Sequence, residues 1–159
     1  MTGTVGANLT APFSTTTDGR MHGLGDRYQD SSGKEWVFVK ASAAIAQYDV
    51  ATYDETYNTT VAPLSTANDA RGDLVGVAAA AFASGEYGWL QIYGPCTMNV
   101  LASCAANVRL NTTATAGSLD DDGTTGALQV EGIYLTAARA ASNGSAAGIL
   151  NYPVQGVTL

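Results

Sequence analysis

Residues 86–95 read EYGWLQIYGP, and no other stretch limits the fold as much. An extended chain puts Tyr87, Trp89 and Tyr93 on one side, with Gln91 between them, and Leu90 and Ile92 on the other. A strand that is apolar on both faces has to be covered on both, between layers of one protein or between subunits. Gly94 and Pro95 are expected to stop the run, because proline donates nothing to a ladder.

The neighbouring segments carry the same period. In EWVFVK, Trp36 and Phe38 face one way and Val37 and Val39 the other. QYDVATYD reads as a strand with Tyr48, Val50 and Thr52 on one side. LVGVAAAA contains four consecutive alanines, a helical composition by propensity. Val75, Gly76 and Val77 lead into it and SGEYG follows, which favours a strand and then a tight turn at Ser84–Gly85. TMNVLASC places Met98 and Val100 on one face. NTTATAGSLDDDGTTG reads as a polar loop. GALQVEGIYLTAAR puts Leu128, Val130 and Tyr134 on one face and Ile133 and Leu135 on the other. AASNGSAAG reads as a flexible connector, and ILNYPVQGVTL as an edge strand because of Pro153.

No segment has the pattern of a long amphipathic helix. The expected fold is therefore all-β, a compact antiparallel sandwich or barrel of about eight to ten short strands. Residues 1–27, rich in Thr and Gly, form an expected extended N-terminal arm, and 28–159 a single β-rich domain. Pro12 and Phe13 are the arm's expected anchor on a partner. Trp36, Phe38, Tyr87, Trp89 and Tyr93 are expected in the core or at a subunit interface.

Composition narrows the function. The formal net charge of −7 leaves no basic stripe for nucleic acid. Only 13% of residues are charged, against about 25% in an ordinary soluble domain. So little charge gives a surface few means of staying apart from its neighbours, which points to assembly. No early basic residue precedes an apolar run, and no run is long enough to span a bilayer. The expectation is a product made in the cytosol that stays there or travels within a particle.

Catalytic and metal patterns are thin. His22 is the lone histidine, and nothing resembles a G-x-S-x-G elbow, so His22 reads as a polar loop residue. Cys96 and Cys104 with one His do not supply four Cys/His ligands, and two buried, reduced thiols are expected. Asp120, Asp121 and Asp122 lack the alternate spacing of a calcium loop, and consecutive acids are expected to point apart around a solvated turn. HGLGDR lacks the strand–helix context of a phosphate loop. These readings exclude no reaction outright, but they favour a non-enzyme with no cofactor and no metal.

Three segments carry a resemblance: SGKEWVFVKASAAIAQYDVATYDE, GDLVGVAAAAFASGEYGWLQIYGP and TATAGSLDDD. The motifs Trp36–Val39, Gly76–Ala78, Tyr87–Ile92 and Thr115–Gly117, spread over residues 20–136, resemble the head decoration (capsid cement) proteins of tailed bacteriophages. The resemblance implies a β-rich homotrimer on the outer capsid surface of a virion, synthesised in the bacterial host cytoplasm. Its partner would be the major capsid protein, clamped by the arm through Pro12 and Phe13, with no nucleic acid or membrane contact. The alternative is a tail- or fibre-associated adhesin that stacks sugars on Tyr87, Trp89 and Tyr93.

Overall fold

Period-two apolar runs and glycine-marked turns give ten strands in the computed structural model, which describes residues 7–13, 22–57, 62–66, 72–123 and 125–158. They are β1 (Arg27–Gln29), β2 (Glu35–Lys40), β3 (Val50–Tyr53), β4 (Ala62–Pro63), β5 (Leu74–Ala78), β6 (Tyr87–Val100), β7 (Leu110–Thr112), β8 (Leu119–Asp120), β9 (Leu128–Leu135) and β10 (Gly144–Thr158). The described residues contain no helix. The fold is all-β, as the alternation predicts.

Six strands close on themselves in the ring β6–β8–β7–β9–β10–β5, and β5 returns to β6. The β1–β2 pair extends the sheet from β6, and β3–β4 extends it from β5. Every pairing is antiparallel except the single parallel contact of Val100 with Leu119. Closure removes most open edges, so this is the barrel option of the predicted pair.

Both faces of β6 are covered. Leu90 and Ile92 join Val37, Val39, Ala51 and Phe82 in one apolar cluster. Trp89 packs with Trp36 and Phe38 in a second. Further along, Met98 and Val100 enter the barrel interior beside Leu110, Leu119, Leu135 and Leu150. The loop 79–86 that returns β5 to β6 is held by Phe82, which exchanges backbone hydrogen bonds with Ile45 at 2.8 and 3.0 Å. The alanine run is therefore the end of β5 and a loop, with the turn at Ser84–Gly85 as expected.

Three sequence expectations fail at backbone irregularities. Pro95 does not stop β6. The strand runs through it and changes partner there, pairing with β2 before it and with β10 from Tyr93 onward. Gly94 (φ +91°) makes the bend, and Gln91 Nε2 donates to the carbonyls of Tyr93 and Pro95 at 3.0 and 2.8 Å. In β9, Gly132 (φ +75°) adds a residue and flips the phase. Leu128, Val130, Ile133 and Leu135 are consequently all buried and Tyr134 is exposed, so the predicted pairing of Tyr134 with Val130 is wrong.

β10 is the third correction. It is a central strand bonded to β6, β9 and β5, not an edge. Pro153 is tolerated because the β9–β10 ladder skips between Leu150 and Val154. Its entry is also ordered: the Arg139 guanidinium donates to the carbonyls of Ser142 and Ser145, so the predicted flexible connector is pinned. The predicted polar loop after residue 110 likewise contains β7 and β8.

Candidate contact surfaces

The first surface is built where β2 and β6 run side by side. Their alternation turns Trp36, Phe38, Tyr87 and Trp89 to one side. Phe38 and Trp89 meet edge-on at 5.1 Å between centroids, and Tyr87 stacks on Phe38 at 6.1 Å with planes 9° apart. Lys40 Nζ lies 5.6 Å from the Tyr87 ring. The arm segment 7–13 covers this cluster: Ala7, Leu9 and Phe13 pack on it. Phe13 N–H donates to the Tyr87 carbonyl at 2.7 Å, and Tyr87 N–H returns the bond at 3.0 Å.

Phe13 is thus an anchor, and the surface it grips belongs to its own chain. Pro12 beside it is half-buried. Of the rest of the predicted arm, residues 1–6 and 14–21 lie outside the described residues, and 22–27 run through a turn into the start of β1. His22 lies in a loop, as expected, but it is buried. It is 3% exposed, and its ring sits 4.9 Å from Trp89, 5.5 Å from Phe38 and 6.2 Å from Phe13.

Trp36, Phe38 and Trp89 are core residues, as predicted, and Tyr87 is half-buried against them. Tyr93 is not in the core. The bend at Gly94 separates it from the stripe, and it is 39% exposed. A sugar platform of Tyr87, Trp89 and Tyr93 is therefore not available as a unit, because Trp89 is 1% exposed beneath the arm.

Tyr93 instead begins a second surface on the outside of the barrel. Among the described residues, the large apolar side chains left exposed are Tyr93, Val108, Tyr134 and Tyr152. Tyr93 and Tyr152 stack at 5.1 Å. Tyr93 and Tyr134 line one open groove of about 600 Å³ with Ile149 and Asn151. Tyr134 and Val108 line the next groove with Arg109 and Glu131. Tyr93, Tyr152 and Tyr134 come from β6, β10 and β9, and Val108 joins them from the loop before β7.

Tyr152 is held out on a left-handed backbone (φ +48°), a conformation that costs a non-glycine residue about 1–2 kcal/mol. Its hydroxyl donates to Glu35 Oε2 at 2.9 Å, and that bond raises the hydroxyl's pKa. Strain kept at an exposed aromatic marks a place where the side chain's position matters.

The third cluster lies where β8 ends. Asp120 and Asp121 do not point apart as predicted. One carboxylate oxygen of each and Cys104 Sγ lie within 4.8 Å of one another. The Asp120 carboxylate turns back to accept from Asp121 N–H at 3.0 Å, which brings the two acids together. Asp122 alone is exposed. Burial, with Asp121 and Asp120 adding to it, pushes the Cys104 thiol up to about 12. Cys96 is also a free thiol and also rises to about 12, chiefly by burial.

No protein-family model matches the sequence, and no curated protein matches it significantly. Sequence reasoning did not single out Tyr134, Tyr152 or Glu35 as contact residues. Gly132 and Pro153, each next to or near an exposed tyrosine, are the signals that mark the bends presenting them.

Proposed function

We propose that this protein is a structural virion component, a head decoration protein. It would bind the outside of a tailed-phage capsid and stabilise contacts between major capsid protein subunits, as a homotrimer and without catalysis. The observation that carries this reading is the exposure of Tyr93, Tyr134, Tyr152 and Val108 on one outer side of the barrel. An exposed patch of this kind is a contact surface, and tyrosine supplies apolar area with little side-chain entropy to lose. The low charge of the chain fits a surface that adheres through area, and repetition on a shell multiplies weak contacts. The motifs that resemble cement proteins fall in β2, β5, β6 and the turn before β8; β5 and β6 belong to the closed ring and β2 extends the sheet from it.

The test is a mass measurement of the purified protein, followed by co-sedimentation with expanded empty heads. A trimer that pellets with heads and is released by Tyr→Ser changes on the face supports the proposal. A monomer that stays in the supernatant at every concentration overturns it. A second reading, a saccharide-binding module, draws on the stacked Tyr93–Tyr152 pair beside an open groove. Saturable change in tyrosine fluorescence with a saccharide, without head binding, would favour that reading.

A further inference from the structure

The Cys104–Asp120–Asp121 cluster is unexplained by a contact function. Three groups able to carry negative charge converge there, one ligand atom of each within 4.8 Å of the other two. Ligands around a zinc-class ion stand roughly 3.5 Å apart, given bonds of 2.0–2.3 Å. Asp120 and Asp121 bring two carboxylates together beside the thiol, and Asp122 follows them in the chain. Gathering like charges without a cation costs energy that a divalent ion would offset.

An independent observation comes from β7. Asn111 pairs in register with Asp120, so the two side chains leave the same side of the β7–β8 ladder. Asn111 is 3% exposed, and its Nδ2 donates to the Asp121 carbonyl at 3.4 Å. Its Oδ1 is buried with no hydrogen-bond partner among the described residues. The bond from Nδ2 fixes which end of the amide is which. A buried acceptor left over on the side of the ladder that carries Asp120 is available as a fourth donor, because a buried acceptor without a partner is destabilising.

We infer that Cys104 Sγ, one oxygen each of Asp120 and Asp121, and Asn111 Oδ1 form a binding site for a thiophilic divalent cation of the zinc class. The sulfur decides the class. Hard cations such as calcium and magnesium take oxygen donors and leave a thiol alone, whereas zinc and cobalt accept thiolate, carboxylate and amide oxygen together. The sequence argument against zinc concerned four Cys/His ligands, and this donor set is different. Binding forms a metal–sulfur bond, breaks the S–H bond of Cys104, and passes one proton to solvent. Affinity therefore rises with pH, because the ion must displace a tightly held proton. The ion would join β8, β7 and the loop carrying Cys104, across the one parallel contact of the ring.

The test uses the full-length protein, stripped with a chelator, and titrated at pH 7.5 with Co²⁺ and then Zn²⁺. Expected are a near-ultraviolet sulfur-to-cobalt charge-transfer band, release of one proton per ion, and a higher melting temperature with Zn²⁺. Cys104→Ser should abolish the band and Cys96→Ser should keep it. Asn111→Ala should weaken binding roughly ten-fold. Absence of the band in the wild-type protein at millimolar Co²⁺ overturns the inference, whatever the variants do. So does a band that survives Cys104→Ser or vanishes in Cys96→Ser. Neither outcome depends on capsid binding.

Discussion

Gly117 presses directly on the carboxylate of Asp49, so closely that a Cβ at position 117 would fall inside it. Asp49 is 8% exposed, and its oxygens accept from Ala46 N–H and Asn99 Nδ2, both at 2.9 Å. Val50 N–H donates to the Gly117 carbonyl beside this contact. The turn before β8 is thereby locked to the start of β3.

Gly117→Ala combines a left-handed backbone (φ +81°) with this clash, so a loss of about 2–4 kcal/mol is expected. Gly126→Ala is the control. It shares the positive φ (+89°) but meets nothing within 4 Å, and should cost only about 1–2 kcal/mol. Urea denaturation of both variants checks the difference. Equal losses would remove the Asp49 contact from the explanation.

Phe13→Ala removes the arm's ring from Phe38 and His22 while sparing the two backbone bonds to Tyr87. A cost of about 1–2 kcal/mol is expected, since the ring is half-buried. Trp36 and Trp89 should become more accessible to a neutral quencher. Unaltered quenching would mean that the arm does not shield the cluster in solution. Deleting the whole arm is a poorer experiment on capsid binding, because it strips Leu9 and Phe13 from the domain's own core.

The triple change Tyr93→Ser, Tyr134→Ser and Tyr152→Ser removes exposed rings. Folding stability should move by no more than about 1 kcal/mol, because exposed side chains contribute little. Self-association and head binding should both weaken at least ten-fold. Sedimentation velocity and head pelleting measure the two, and a stable variant that binds like the parent would discard this face.

Both thiols are held well above their ordinary value of 9.0, at about 12. Below pH 9 the folded and unfolded chains both keep these protons, and the contribution to stability is complete. Between pH 9 and 12 only the unfolded chain loses them, so stability falls as pH rises. Replacing both cysteines with serine should flatten that decline in melting temperature. A disulfide-exchange reagent at pH 8 should react with neither thiol until denaturant is added. Rapid reaction of native Cys96→Ser protein would contradict the burial of Cys104.

The sequence makes β2, β5 and the first half of β6 readable because their apolar period is uninterrupted and Gly33, Gly72 and Gly85 mark the turns before them. Trp36, Phe38 and Trp89 are legible as core for that reason. The failures share one cause. A bulge adds a single residue and reverses every later assignment of faces, as Gly132 does for Tyr134. Pro95 and Pro153 look like terminators because the missing N–H is visible in sequence, while the bend that makes it harmless is not. His22 and Asn111 are polar letters whose burial depends on strands far away in the chain. The convergence of Asp120 with Asp121 needs the local fold of one carboxylate, which spacing cannot supply.

β10 threads between β9, made just before it, and β5 and β6, made much earlier, and it pairs with all three. Until it arrives the ring stands open, with the flanks of β6 and β9 unpaired. Maturation of this chain should therefore be slow for its size, on the order of milliseconds to seconds. Its hazardous interval is the wait for the last strand, when open flanks invite association with the wrong copy.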